Sequence, residues 1–190
     1  MTTIFVCGTS EIKLKAVQEW VDEKGFNYQV KSIKVSTNLF GFPEQPMELH
    51  EGEGLGLMRI ALSILELKDE FKNGDLIVSF ENYITKEFEK EYSCFEYQDK
   101  CICQVRSWSG FQTIGFSNRL VLPESQFEDY QKNEDRNKVT FGSYLESEGY
   151  IENGKDPHLS ISGIPRYIWL KKSLEEAFQE ASDSNPNIFR

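Results

Sequence analysis

The residues best suited to chemistry stand at one strand-to-helix junction, where the apolar run Ile4-Phe5-Val6-Cys7 gives way to Gly8-Thr9-Ser10 and then to Lys13. A short buried strand that stops at a small, hydroxyl-bearing turn leaves unpaired N–H groups at the start of the next helix, where partial positive charge favours a phosphate. Thr9 and Ser10 supply hydroxyls, and Lys13 adds a full charge one turn into the helix. A plainer reading stands beside this one: Thr9 or Ser10 caps the helix, with Glu11 in its first turn. Glu11 also sets a negative charge near the anion site and offsets part of Lys13. The second such residue is Glu81, which closes the compact run Leu76-Ile77-Val78-Ser79-Phe80. An acid at the end of a buried strand is costly unless it is paired or holds a metal.

Positioning these groups requires regular elements, and the apolar spacing names them. Ile12, Leu14, Ala16, Val17, Trp20 and Val21 form a helical stripe over 11–24 that Gly25 stops. Residues 28–37 are β-compatible, and Gly41-Phe42-Pro43-Glu44-Gln45-Pro46 then breaks regular structure. Leu55, Met58, Ala61, Leu62 and Leu65 predict a second helix over 54–71. Residues 75–81 read as a central strand that delivers Glu81 to a sheet edge, and 84–88, 101–107 and 111–122 as an antiparallel meander. A short helix within 123–135, a charged loop at 133–138 and a third amphipathic helix from Ile164 to Phe178 complete the series. This order predicts an α/β fold with a mixed central sheet flanked by helices, one domain over 1–181 and a polar tail over 182–190. Ligands of such sheets bind at the carboxyl ends of strands, which brings residues 8–13, the loop at 43–46 and Glu81 into one candidate cleft.

Composition narrows the class of partner. The chain has 190 residues, with 21 Lys and Arg against 31 Asp and Glu, a formal net charge of -10 that should repel a nucleic-acid polymer. A single nucleotide is still admissible, because a small anion needs only a local cluster or a bridging metal ion. No apolar run approaches the ~20 residues needed to cross a bilayer, and the first residues do not read as a secretory signal, so no membrane partner and a cytoplasmic location are expected. Four cysteines do not make a disulfide scaffold, and Cys101 and Cys103 share one face of a strand as buried thiols. With only His50 and His158, a Cys/His zinc site or a Ser-His-Asp triad has little to draw on.

Taken together, several segments resemble the inosine/xanthosine triphosphatase family, house-cleaning enzymes that hydrolyse ITP and XTP, and a relative of that family, the C-terminal domain of the proline-rich coiled-coil protein. The family motif G-S-T-N-P-x-K-x-x-A-V falls without a gap on Cys7 to Val17, keeping Thr9, Lys13, Ala16 and Val17. S-G-V-P-E-Q-P is similar to Gly41-Phe42-Pro43-Glu44-Gln45-Pro46, with four consecutive identities. E-E-T-x-x-G-A-x-N-R-A falls on His50 to Ile60, keeping Glu51 and Arg59, and A-I-E-G-G-I falls on Ser79 to Ile84, keeping Glu81. L-T-R-x-x-x-Y corresponds to Ile161-Ser162-Gly163 and Tyr167. The chain departs from the family at Ser10 for an amide, Gly52 for threonine, Met58 for asparagine, Tyr83 for glycine, Thr85 for aspartate and Gly163 for arginine.

The resemblance implies an inosine triphosphatase-like architecture of the Maf and Ham type, and Mg²⁺ (or Mn²⁺) dependent hydrolysis of aberrant purine nucleoside triphosphates. It also implies Glu44, Glu51 and Glu81 as catalytic acids, with Glu81 and Glu51 on the metal. Thr9, Ser10, Lys13, Arg59 and Tyr167 are the implied substrate contacts, with Tyr83, Phe42 and Tyr167 as rings for a purine. A homodimer is the implied assembly. Each residue also has a structural alternative: Glu44 solvates a Pro-rich turn, Glu51 belongs to an acidic loop, and Arg59 faces solvent. Because the departures fall on polar positions, a silent domain of the same fold, binding nucleotide or a basic protein partner, is the alternative function.

Overall fold

The computed structural model describes residues 2–35, 44–91 and 93–184. The end of the second predicted strand, the first half of the Pro-rich loop with Phe42 and Pro43, and residues 185–190 lie outside the described residues. Strand β1 (Thr2–Cys7) leads through helix α1 (Glu11–Lys24) to β2 (Tyr28–Ile33). Helix α2 (Leu49–Leu67) precedes the long pair β3 (Leu76–Glu89) and β4 (Cys94–Ser107), followed by β5 (Gln112–Phe116) and the short β6 (Leu120–Val121). Helices α3 (Glu124–Lys132), α4 (Phe141–Ser147), α5 (Pro157–Ser162) and α6 (Arg166–Ser184) complete the described chain.

The sheet runs β2-β1-β3-β4-β5, with β6 beside β4; β1 is parallel to both its neighbours and the remaining pairs are antiparallel. The α/β fold with a mixed sheet flanked by helices is therefore as the sequence predicts. From Ile4 to Cys7 β1 is apolar because it is covered on both faces. Ile4 and Val6 join Val17, Trp20, Leu170 and Leu174 of α1 and α6, whereas Phe5 and Cys7 join Ile60 and Leu67 of α2. A third cluster of Phe127, Tyr130, Phe141 and Leu145 closes α3 and α4 against Ile84, Tyr97 and Leu120. Cys101 and Cys103 are buried free thiols on one face of β4, in contact with the α1 and α6 core.

Several boundaries differ from expectation. Residues 75–81 and 84–88 are one strand, so Glu81 lies within it and not at its end; a continuous antiparallel register with β4 carries the chain from Leu76 to Glu89. β1, however, pairs with β3 only as far as Val78. From Ser79 onward the β1-facing edge of β3 has lost its neighbouring strand, and that is where Glu81 stands. The last helix begins at Arg166, after Pro165, and runs to Ser184, so residues 182–184 of the expected tail are helical. α4 and α5, of seven and six residues, were not foreseen because neither spans enough turns to show a helical period.

Candidate functional site

Past Cys7 the chain turns at Gly8, whose φ of +95° suits glycine, and whose N–H donates to the carbonyl of Ile33. Ser10 then occupies the N-cap position of α1 without making a side-chain cap bond, which leaves its hydroxyl on the wall of a cleft. Thr9 lies further out, at the wider mouth. The inner cavity measures about 230 Å³ and the mouth about 820 Å³; they share Ser10, Lys13, Arg59, Thr140, Gly154 and Arg166 as walls.

The bare edge of β3 is finished by two side chains and one backbone carbonyl. Lys13 Nζ donates to the carbonyl of Phe80 (2.5 Å), Gln45 Nε2 reaches the carbonyl of Asn82 (3.5 Å), and the N–H of Ile84 donates to the carbonyl of Pro46 (2.9 Å). These contacts take backbone groups that a neighbouring strand would otherwise have paired. They also tether the segment that presents Glu44, which is exposed on the cavity wall.

Glu81 is buried between two cations. Its Oε1 lies 2.6 Å from Arg59 Nε on α2 and 3.8 Å from Lys13 Nζ on α1, and accepts a long bond (3.4 Å) from the Ser79 hydroxyl. The contact with Arg59 Nε is a close ion pair that lacks the alignment of a hydrogen bond. Burial pulls the Lys13 ammonium below its ordinary pKa, an effect that Glu81 opposes and that Arg59 and Arg166 reinforce.

A second set of polar groups, unmarked in the sequence, meets the first. Arg166, the first residue of α6, donates from Nη2 to Asn82 Oδ1 (2.6 Å), and Asn82 Nδ2 donates to Asp99 Oδ1 (2.8 Å). Arg166 Nε is buried with no hydrogen-bond partner among the described residues. The backbone N–H of Arg166 is held by Asp156 Oδ1 (3.0 Å), which also caps α5. Asp99 is buried, and desolvation pushes its carboxyl up to about 6 against the pull of Arg166 and Asn82. His158 Nε2 sits 3.6 Å from Asp99 Oδ2, and burial followed by repulsion from Arg166 pushes its pKa down to about 3, so the imidazole is neutral. A cation in the first turn of a helix opposes the helix dipole, and this was the one signal in the sequence that Arg166 has another task.

Of the sequence-predicted residues, the structure brings Ser10, Lys13, Glu44, Arg59 and Glu81 to one cavity, with Thr9 at its mouth. Glu51 goes elsewhere: in the first turn of α2 its carboxylate turns back to accept the N–H of Met47 (2.6 Å), a helix-start contact, and it lines neither part of the cleft. Tyr167 packs on the main core with Lys15 Nζ 4.0 Å above its ring, and Tyr83 is buried against Gly52 of α2. Neither ring reaches the cleft, and neither Tyr83 nor Met58 blocks it.

Three carboxylates line the cavity; Asp99 is taken by Asn82, which leaves Glu44 and Glu81 as the donors for Mg²⁺, an ion that takes one or two protein carboxylates and completes its shell from phosphate and water. Among the described residues no group of three or more His, Cys, Asp or Glu gathers as a self-sufficient metal cage. No helix among them is long and apolar enough to cross a membrane.

Comparison with protein-family models finds no match, and comparison with curated proteins finds none either. The fold is similar to that of protein VC0702 from Vibrio cholerae, with a TM-score of 0.68 over 100% of this chain and 99% of that one. At 16% identity the likeness is one of fold alone.

Proposed function

We propose that the cleft receives the phosphate tail of a purine nucleoside triphosphate, of the ITP and XTP class, and hydrolyses it. The observation that carries this reading is the convergence of Lys13, Arg59 and Arg166 on one cavity at the carboxyl end of β1, in a protein whose net charge is -10. Glu44, Glu81 and Asp99 line the same cavity, so its cations are balanced by carboxylates at rest, and a multiply charged anion bound together with a metal ion on Glu44 and Glu81 is the ligand that such a mixed lining suits. Arg59 and Arg166 have the fork geometry for phosphate oxygens, and Ser10 with the first N–H groups of α1 adds neutral donors. Leu120, Leu122, Phe141 and Ile161 give the same cavity an apolar wall, where a base would lie. Glu44 and Glu81 would hold Mg²⁺, which when bound neutralises phosphate charge. Phosphate binding draws Arg59 from Glu81 and frees that carboxylate to orient water.

Purified protein with Mg²⁺ should release phosphate or pyrophosphate from ITP, and Glu81→Gln should abolish the release while the thermal melt stays cooperative. Absence of turnover on every purine triphosphate by folded protein would end the proposal. One observation favours a binding module of the same fold instead: Glu81 is already neutralised by Arg59 and Lys13, and Lys13 already completes the β3 edge. Calorimetry with ITP and Mg²⁺ separates the two, since heat of binding without product assigns the module.

A further inference from the structure

Resting on the phosphate-binding reading of the cleft, we infer that Asp99 is a positioning residue, which fixes the orientation of the Asn82 amide and through it aims the guanidinium of Arg166 into the cavity.

An ionised carboxylate only accepts hydrogen bonds, so Asp99 obliges Asn82 to turn its NH₂ toward β4, where Nδ2 meets Asp99 Oδ1 at 2.8 Å. The amide oxygen is then left on the opposite side, and there it receives Arg166 Nη2 at 2.6 Å. Without Asp99 the NH₂ loses its acceptor, and only the bond to the mobile guanidinium still holds the amide in this orientation. The relay is short, buried and polarised in one direction: Asn82 and Asp99 are both buried, and Asp99 itself lines the cavity beside Arg166. Low local polarity strengthens each bond in such a chain and raises the cost of breaking it.

A second anchor makes the side chain the adjustable part. Asp156 Oδ1 holds the backbone N–H of Arg166, so the start of α6 stays in place whatever Asn82 does. Arg166 Nε remains buried and unpartnered among the described residues, so the head group has donor capacity to offer once its other side is held. His158 contributes no competing charge, because burial keeps it neutral 3.6 Å from Asp99.

The test is a double-mutant cycle with two readouts. Affinity for ITP with Mg²⁺, and for inorganic pyrophosphate, is measured by calorimetry on the parent, Asp99→Leu, Arg166→Ala and the double variant. Asp99→Leu, which removes the acceptor and keeps the volume, and Arg166→Ala should each weaken binding by about tenfold, the scale of one lost hydrogen bond to a charged group, and the double variant should be no weaker than Arg166→Ala. Asn82→Ala, which removes the relay and keeps Asp99, should repeat the loss. Asp99→Asn, whose amide oxygen still accepts from Asn82, should restore most of the affinity. Independent losses that multiply in the double variant, or an unchanged affinity in Asp99→Leu, would overturn the inference. The second readout needs no ligand: ¹⁵N resonances of the Arg166 guanidinium should show restricted rotation in the parent and fast averaging in Asp99→Leu. If that change is seen and no variant binds either probe, the positioning stands and the phosphate reading fails; if the guanidinium averages alike in both, the positioning itself fails.

Discussion

At the scale of single residues, burial sets two titrations against each other. Asp99 has its folded pKa raised from 3.8 to about 6, so the native state holds more protons than the unfolded one between those values, and stability falls as pH rises through them. His158 has its folded pKa lowered from 6.5 to about 3, so the unfolded state holds more protons and stability falls as pH drops through that range. Between pH ~4 and ~6 the slopes are opposed, each approaching ~1.4 kcal/mol per pH unit, and folding in effect moves a proton from His158 to Asp99. The expected outcome is a parent whose urea midpoint takes little net slope from this pair. Asp99→Asn should gain stability as pH rises over that window, and His158→Gln should lose it. Parallel midpoint-against-pH curves for the three proteins would refute the account. The same scale explains what was legible of the site. Lys13 and Glu81 are marked by type and position and Arg59 by the family resemblance alone, whereas Asn82 and Asp99 are ordinary polar residues of β-strands until the β3–β4 register brings them together. Glu51 shows the converse, since a glutamate in a first helical turn carries the same letter whether it serves a ligand or the helix start.

At the scale of elements, the two ends of the sheet need different treatment. β5 is an edge strand, and an uncovered edge invites pairing with another chain. Here α6 covers it with carboxylates: Glu180 Oε2 accepts the N–H of Ile114 (3.3 Å) and Glu176 Oε2 accepts that of Phe116. The two acids are one helical turn apart, matching the alternate outward N–H groups of the strand. Replacing both by alanine should leave the fold intact and promote self-association through β5, read as a concentration-dependent rise in sedimentation coefficient. A coefficient that stays constant with concentration would show that the edge needs no such guard. Elements with long apolar periods, α1, α2 and α6, were readable from sequence because a helix several turns long repeats its buried face. The length of β3 was not, because Glu81 and Asn82 interrupt its apolar run while the ladder with β4 continues through them.

At the scale of the whole molecule, the charge balance and the cleft pull in opposite directions. A surface carrying -10 repels a polyanion over its whole length, and a cationic patch confined to one cavity offers a duplex backbone no continuous track. At physiological salt, where the Debye length is ~8 Å, the protein should not retard a duplex oligonucleotide in a gel, while a mononucleotide still reaches the cations of the cleft. Retardation by the duplex would show a basic surface elsewhere. Sequence alone determined the class of fold, the helices with a full apolar face, the buried thiols and the junction after β1, because all of these follow from local spacing and composition. Tertiary structure alone decided which acids reach the cleft, that β1 stops short and bares the edge of β3, and that Arg166 comes back from the start of α6 to meet Asn82 and Asp99. Contacts between residues 67 and more positions apart leave no periodic trace, since each depends on where the chain returns and not on what lies beside it.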